Sequence, residues 1–304
     1  MYRKIFLTLL EINVITTLTL GTSARSIIHL YTAAQYVSNN QLQRDKVTAL
    51  IDEFSDYLQN ISGTCMDIGC GPGDITNDII LPIVGRDAIV IGTDISKNMI
   101  EYARRTYTIK ERLEFEVLDI QTKALPTKYV SKFDFIFSFH TLHWCIDIRQ
   151  AFENIYRMLR PNGNMLILFV SSHEIFDILE NLAEDVRFAP YINDVSKYTF
   201  PFQKSINPRK ELKGLLQELG FTVNHCSHRD TYYTDETPKR FLSSILAFLD
   251  FIDDMPCNLQ EEFKNEFERI HTETQINYKR KKDNKTVTLI MYKVLISFAK
   301  KYVP

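Results

Sequence analysis

The chain has 304 residues, of which 45% are hydrophobic and 24% charged, and this composition is typical of a globular domain with an elaboration. Its formal net charge is -2, so no overall positive field attracts phosphate backbones, and we expect no nucleic-acid partner. The five cysteines form neither a CxxC pair nor a cysteine and histidine cluster with zinc spacing, which predicts reduced, mostly buried thiols and no metal site.

Residues 1–29 form a leader or extension ahead of the patterned sequence. Residues 1 to about 24 combine a basic start, an apolar stretch and small residues near Ala24, which outlines a secretory signal. Glu11 interrupts the apolar stretch, and the odd number of thiols gives no disulfide framework. We therefore expect a cytoplasmic protein with a dispensable leader, with secretion as the alternative. No later segment is long and apolar enough to span a membrane.

An amphipathic helix is predicted over residues 39–60, where apolar side chains recur three and four positions apart. The apolar face consists of Val47, Leu50, Ile51, Phe54 and Leu58. From residue 63 onward, short apolar runs alternate with helical patterns, which indicates repeated βαβ units and a parallel sheet covered by helices on both faces. The predicted strands are 64–69, 88–95, 113–120, 133–139 and 164–170. Ser96 is a favourable N-cap for the helix after the second strand, and RPNG at 160–163 predicts the end of the helix after the fourth.

The sequence changes character after the fifth predicted strand. Residues 172–218 are mainly helical or loop-like, residues 221–233 and 286–301 have strand patterns, and residues 237–276 are rich in helix formers and phenylalanines. The basic run at 279–285 is interpreted as a solvated loop. No low-complexity linker separates two domains, so we expect the late helices to form a cap on the sheet.

Three glycines occupy every second position behind the first predicted strand, in MDIGCGPGD at residues 66–74. Gly69, Gly71 and Gly73 lie in a strand-to-helix turn at the carboxyl edge of the sheet, where α/β proteins bind ligands. Glycine permits tight backbone geometry and close approach of a ligand. The spacing departs from the dinucleotide fingerprint, Asp74 would repel a pyrophosphate, and no Lys-Ser/Thr pair completes a phosphate-binding P-loop.

Three carboxylates stand at the ends of three successive predicted strands. Asp67, beside the glycines, suits an ammonium group. Asp94 can accept both hydroxyls of a ribose, and Asp119 can accept from an exocyclic adenine amine. Any one of them alone is more often a helix cap or a surface residue. Ammonium, ribose and adenine together describe S-adenosylmethionine, which we predict as the cofactor.

Residues 63–170 resemble the class I S-adenosylmethionine-dependent methyltransferases, with MDIGCGPGD as a first motif and LDI at 118–120 as a later one. The resemblance implies an α/β fold, namely a Rossmann-like seven-stranded sheet whose last strand is antiparallel, with a helical cap. It also implies that the neighbours of these motifs contribute to the cofactor site. Those neighbours are Ile95, Ile120 and Phe139.

The loop after the fourth strand, SFHTLHWCID at 138–147, is expected beside the reacting methyl group. It lacks the Pro-Pro-aromatic and Pro-Cys runs of base-modifying methyltransferases, and Asp94 with Asp119 does not build an octahedral metal cage. His143 and Trp144 have two interpretations. They are core residues, or they form a pocket floor in which the Trp144 indole N–H donates to a substrate acceptor.

Segments outside the cofactor motifs are similar to the juvenile hormone acid O-methyltransferase family. The matching segments include YVSNNQLQRD (36–45), FSFHTLHW (137–144), FAPYINDVSKYTFPF (188–202) and ELKGLLQELGF (211–221). The resemblance implies that Gln43 and Trp144 orient a substrate carboxylate, with His143 shaping the pocket. The leader and the His-Thr pair at 140–141 depart from the usual family pattern.

The predicted function is esterification of a small hydrophobic acid of the farnesoic or juvenile hormone acid type. The alternatives are methylation of another small acid or an amine, and binding of cofactor and ligand without catalysis. The predicted organisation is a leader (1–29), an N-terminal helical segment over the active site (30–62), a cofactor-binding core (63–170), and a helical cap with C-terminal strands (171–304). The oligomeric state is left open.

Overall fold

A single β-sheet organises the part of the chain that the computed structural model describes, which comprises residues 33–109, 111–235 and 249–302 together with residues 242 and 246. The strands are β1 (Thr64–Ile68), β2 (Ile89–Asp94), β3 (Leu113–Val117), β4 (Phe133–Phe139), β5 (Leu159–His173), β6 (Phe221–Asp235), β7 (Ile276–Lys279) and β8 (Thr286–Lys301). The predicted leader lies outside the described residues, as do Phe241 and Phe248 of the predicted cap.

The strand order is β3-β2-β1-β4-β5-β8-β6, and β7 pairs with the start of β8. The strands from β3 to β5 are mutually parallel, whereas β8 runs antiparallel to both β5 and β6. This arrangement confirms the predicted Rossmann-like sheet with its last long strand antiparallel. The sequence pattern did not predict the short strand β7, because its four residues are all exposed and do not alternate between buried and exposed positions.

Eight helices are described. They are α1 (Ala33–Asn39), α2 (Gln41–Glu53), α3 (residues 74–83), α4 (Lys97–Tyr107), α5 (Ile148–Met158), α6 (Glu174–Ala183), α7 (Pro208–Glu218) and α8 (Cys257–Thr274). The helix predicted over 39–60 is confirmed in its apolar face, all five members of which are buried, although it ends at Glu53. Ser96 caps α4 as predicted, since its side chain accepts a hydrogen bond from the Met99 N–H.

Helix α3 follows the glycine loop and contains a wide turn. Over Thr76–Ile80 the backbone follows a π-helical pattern, in which the Leu81 N–H donates to the Thr76 carbonyl. Pro82 has no N–H with which to continue the regular α-helical pattern, which favours this local change. Wide turns of this kind are frequent at functional sites, and this one adjoins the predicted cofactor loop.

Apolar side chains pack on both faces of the sheet, as expected for parallel strands. Alternate residues of β4 enter different hydrophobic clusters, with Phe135 and Phe137 in one and Ile136 in the other. The first cluster joins the sheet to α2, α6 and α8, and the second joins it to α5 and α7. Helix α5 ends at Met158, just before the RPNG segment (160–163) that was predicted to end it. Residues 160–163 belong to β5, where the pairing with β4 shifts register.

Four of the five cysteines are buried, Cys257 is exposed, and all are free thiols. Among the described residues, no helix has the length and apolar character that a membrane span requires.

Candidate active site

The glycine loop between β1 and α3 is fixed by backbone hydrogen bonds to the neighbouring strand. The N–H groups of Gly69 and Cys70 both donate to the Thr93 carbonyl, at 2.7 and 2.9 Å, and the Gly73 N–H donates to the Cys70 carbonyl at 3.0 Å. All three glycines of the motif have positive φ, at 74, 55 and 88° along the chain. The sequence therefore needs glycine here first for backbone conformation.

The three glycines differ in what surrounds them. A Cβ on Gly69 would lie 2.0 Å from the Thr141 hydroxyl oxygen, and one on Gly73 would lie 2.8 Å from the Phe115 ring. A Cβ on Gly71 would meet only the edge of Tyr36, at 4.0 Å. Packing within the protein thus excludes a side chain at Gly69 and Gly73, whereas a Cβ on Gly71 would make only an ordinary van der Waals contact. The contacts of the three glycines with the cofactor stay predictions.

Asp94 is tied to the glycine loop from the end of β2. Its carboxylate accepts the Gly71 N–H at 3.0 Å and the Ser96 N–H at 2.7 Å. Burial raises the pKa of Asp94, and these two backbone donors oppose the rise. Each carboxylate oxygen has a second lone pair, so the geometry leaves acceptor capacity for a ligand hydroxyl.

Asp67 ends β1 beneath the same loop and is 3% exposed. The Thr76 hydroxyl, from the wide turn of α3, donates to it at 2.6 Å. Burial raises the pKa of Asp67 to about 7 against the effect of this hydrogen bond, with further contributions from the charges of Asp94 and Asp74. A buried carboxylate with a raised pKa is stabilised by a cationic ligand.

A cavity opens beside the loop, and it is lined from three directions. Tyr36 and Gln43 come from the N-terminal helices, Phe139 and His140 from the end of β4, and Gly69 and Gly71 from the loop, with Asp67 at its base. Two of the lining residues each have a buried polar atom without a hydrogen-bond partner among the described residues, namely Oε1 of Gln43 and Nε2 of His140. Buried polar groups are almost always paired in native proteins, so a polar ligand or a water in the cavity would satisfy these two atoms.

The N-terminal helices reach the glycine loop through Asp74, the first residue of α3. Asn40 Nδ2 and Arg44 Nη1 both donate to Asp74 Oδ2, at 2.9 and 2.7 Å. Arg44 also pairs with Asp78 at 2.9 Å. Sequence reasoning noticed Asp74 only as a residue that repels anions, and it missed this anchoring role.

His143 and Trp144 lie in a short helical turn after β4, outside the set of cavity-lining residues. The Val170 N–H donates to His143 Nδ1 at 3.4 Å, and burial lowers the pKa of His143 well below its ordinary value. Trp144 is 42% exposed, and its ring meets Phe200 edge-on at 5.5 Å between centroids. The pocket role of His143 and the carboxylate contact of Trp144 both stay predictions.

The remaining predicted cofactor residues flank Asp94 in the fold. The Leu118 N–H donates to the Asp94 carbonyl at 3.0 Å, which brings the segment containing Asp119 alongside the end of β2. Asp119 accepts the Gln121 N–H at 2.9 Å. Ile95 is 41% exposed, whereas Ile120 is 6% exposed and belongs to a hydrophobic cluster. Their contacts with the cofactor stay predictions.

No cluster of three or more histidine, cysteine, aspartate or glutamate side chains with metal-binding geometry occurs among the described residues. The carboxylates of the site are instead engaged by hydroxyl, amide and guanidinium donors.

Comparisons with known proteins agree with this geometry. Residues 66–167 match the family model described as "Methyltransferase domain". The structure of phosphoethanolamine N-methyltransferase 2 from Haemonchus contortus, in complex with S-adenosyl-L-methionine, superposes with a TM-score of 0.52 at 17% identity. That superposition covers 93% of this chain and 61% of that one. A structure from Bacillus halodurans gives a TM-score of 0.52 at 16% identity, over 84% of this chain and 100% of that one.

The sheet order and the glycine loop give the chain the fold of a class I S-adenosylmethionine-dependent methyltransferase, and residues 66–167 carry the methyltransferase domain, whose cofactor is S-adenosylmethionine. Among individual proteins, it is similar to juvenile hormone acid O-methyltransferase of Drosophila melanogaster, with 29% identity over 88% of this chain and 92% of that protein. The enzyme of the same name from Bombyx mori is 27% identical over 76% of this chain and 83% of that protein.

Proposed function

We propose that this methyltransferase esterifies the carboxylate of a small hydrophobic acid, of the farnesoic or juvenile hormone acid type. The observation that carries the proposal is the chemistry of the cavity beside the glycine loop. Its one described imidazole, His140, has a pKa lowered to about 4 by burial and, to a lesser extent, by the charge of Lys46. An imidazole with so low a pKa is a weak base, so the site suits an acceptor that is already ionised.

Carboxylic acids meet this requirement, because their pKa of about 4 to 5 leaves them ionised at neutral pH. When bound, S-adenosylmethionine supplies a methyl group on a positively charged sulfur, which an ionised carboxylate can take without first losing a proton. The work left to the protein is to bind, orient and exclude water. Amine acceptors would need a base to remove a proton, and the described residues on the β4 side of the cavity offer only His140.

Roles for individual residues follow from their places around the cavity. We assign the cofactor to the side formed by Asp67, Gly71 and Asp94, with Asp67 facing its ammonium group and Asp94 its ribose. Gln43 reaches the same cavity from α2, and we assign it to the substrate carboxylate together with Trp144. His143 supports Trp144, since their ring centroids lie 4.9 Å apart.

We assign the selectivity for hydrophobic acids to the cap that follows β5. Phe200 packs edge-on against both His143 and Trp144 and lies 4.4 Å from the Phe176 ring centroid. An aromatic cluster of this kind next to a carboxylate site suits a hydrophobic acid. Residues 33–62 then cover the site, which the bonds of Asn40 and Arg44 to Asp74 allow. The free, mostly buried thiols agree with a cytoplasmic location, which we include in the proposal.

Likeness to the insect enzymes supports the choice of substrate class, because the chain covers 92% and 83% of the two proteins named juvenile hormone acid O-methyltransferase. The test is incubation of the purified protein with S-adenosylmethionine and, in parallel, farnesoic acid, medium-chain fatty acids, aconitate and primary amines. Mass spectrometry should detect methyl esters of the hydrophobic acids. Methylation confined to aconitate or to amines would favour another small-molecule methyltransferase. Cofactor binding without any product would favour a non-catalytic binding protein.

A further inference from the structure

His140 has an uncommon backbone conformation at the point where β4 enters the cavity. Its φ is 54°, in the left-handed region that residues other than glycine rarely adopt. The conformation is held from both sides, because the His140 N–H donates to the Leu168 carbonyl at 2.8 Å and the Thr141 hydroxyl oxygen lies 3.1 Å from the carbonyls of Gly69 and Phe139. Strained backbone of this kind persists only where surrounding contacts impose it, and it is concentrated at functional sites.

His140 lines the cavity, and its Nε2 is buried and has no hydrogen-bond partner in the part of the chain that the structure describes. Gln43 lines the same cavity from α2, and its Oε1 is also buried and has no partner within the described ranges. Rotation of the Gln43 amide by half a turn exchanges its oxygen and nitrogen, so this side chain can present either a donor or an acceptor. The cavity thus offers two neutral, adaptable polar groups from two separate elements.

We infer that His140 is a substrate-positioning residue that donates a hydrogen bond from Nε2 to the carboxylate of the acid, in addition to the contacts assigned above to Gln43 and Trp144. This inference rests on the proposed function and deepens it. A neutral imidazole carries one N–H and one bare nitrogen, so the donor at Nε2 requires the tautomer with the proton on that atom.

Neutrality of His140 suits the reaction as well as the binding. A cationic side chain would hold a carboxylate more tightly in the ground state and reduce the availability of its electron pair. Neutral donors orient the carboxylate and leave the positive charge of the cofactor as its main electrostatic partner. Burial lowers the pKa of His140, and the charge of Lys46 lowers it further. Burial also lowers the pKa of the neighbouring His143, so both imidazoles are neutral.

The first test compares His140→Phe with the wild-type protein, using farnesoic acid as the probe. Phenylalanine keeps a ring of similar size and removes both nitrogens. We expect KM for farnesoic acid to rise about 10- to 100-fold, as for loss of a hydrogen bond to a charged group, and Kd for S-adenosylhomocysteine to change less than about twofold. His140→Asn retains a donor and tolerates positive φ, so it should restore part of the loss. His228→Phe, on β6, is the control: it removes a bond to Ser171 outside the set of cavity-lining residues, so it should keep the wild-type KM even where the free energy of unfolding falls.

A measurement on the wild-type protein keeps the inference testable if the variants fold poorly. Addition of farnesoic acid to the protein saturated with S-adenosylhomocysteine should shift the 15N resonance of one histidine Nε2 without protonating the ring. An unchanged histidine spectrum, a wild-type KM in a folded His140→Phe protein, or an equal loss of S-adenosylhomocysteine affinity would overturn the role of His140 and leave the proposed function standing. Failure of the wild-type protein to bind or methylate any acid would overturn both.

Discussion

Arg44 of α2 and Asp74 of α3 form an ion pair at 2.7 Å that joins the N-terminal helices to the glycine loop. The Asp74 side chain is 2% exposed and that of Arg44 is 24% exposed, so the carboxylate is buried and the guanidinium is partly buried. Asn40 donates to the same carboxylate oxygen. The pair therefore holds Gln43, the neighbour of Arg44, at the cavity.

Arg44→Ala should lower the free energy of unfolding by about 1–3 kcal/mol, because it leaves the buried Asp74 carboxylate without its cationic partner, with the Asn40 amide as its remaining side-chain donor among the described residues. Urea unfolding followed by circular dichroism measures this loss. Arg149→Ala is the matched control, since Arg149 pairs with Glu218 on the surface and should contribute about 0–1 kcal/mol. Equal effects of the two substitutions would show that the Arg44 pair is an ordinary surface contact.

Gly71 and Gly69 should respond differently to alanine. Gly71→Ala makes only an ordinary van der Waals contact, so we expect a stability loss of about 1–2 kcal/mol from its positive φ and a clear loss of affinity for S-adenosylhomocysteine. Gly69→Ala places a methyl group against Thr141 and should destabilise the protein more strongly. Thermal unfolding and calorimetric titration on both variants separate the effects. Gly71→Asn, which tolerates positive φ, isolates the steric effect on the ligand. Undiminished affinity in both Gly71 variants would remove Gly71 from the cofactor site.

Much of the fold could be predicted because its signals are local and periodic. The buried face of α2 and the five parallel strands follow from apolar spacing, and the Ser96 cap follows from residue type. The exposed strand β7 has no such signal, and it forms by pairing its backbone antiparallel with the start of β8. The contribution of His140 to the cavity depends on a positive φ imposed by distant contacts, which sequence spacing does not encode. Arg44 stands next to Gln43 in the segment already singled out, and only the tertiary contact with Asp74 reveals its role.

Asp94 should contribute directly to cofactor affinity. Asp94→Ala is expected to weaken binding of S-adenosylhomocysteine by about 1.5–3 kcal/mol, the value of charge-assisted hydrogen bonds to a hydroxyl pair. Because Asp94 also accepts the N–H groups of Gly71 and Ser96, its loss should lower the thermal unfolding temperature too. Asp87→Ala, in an exposed turn before β2, is the control and should leave both quantities unchanged. Affinity equal to wild type in a folded Asp94→Ala protein would show that Asp94 does not face the ribose.

Gln43 should affect methyl transfer and leave cofactor binding nearly intact. Gln43→Ala is expected to reduce kcat/KM for farnesoic acid about 10-fold or more, because the buried amide is lost from the substrate side of the cavity. Gln41→Ala is the matched control in the same helix, since Gln41 is exposed and its side chain donates to Asp45. Product formation measured by mass spectrometry and S-adenosylhomocysteine affinity measured by calorimetry give the two readouts. Parallel losses in both would assign Gln43 to the structure of α2.

Asp67 should make both stability and cofactor binding depend on pH. Its pKa in the folded protein is raised from 3.8 to about 7, so between these values the folded protein holds a proton that the unfolded chain has lost. The free energy of unfolding of the ligand-free protein should therefore fall as pH rises from about 4 to 7, by at most about 4 kcal/mol from this group.

Cofactor binding should show the opposite trend, because the ionised form of Asp67 attracts the ammonium group of S-adenosylmethionine. Affinity is expected to rise from pH 5.5 to 7.5, and binding near pH 6 should release close to one proton. Calorimetry in buffers of different ionisation enthalpy measures that proton directly. Asp67→Asn removes the titrating group while keeping its shape, so its binding should be weaker at pH 7.5 and nearly independent of pH. A wild-type protein that binds the cofactor equally at both pH values and releases no proton would place the ammonium group away from Asp67.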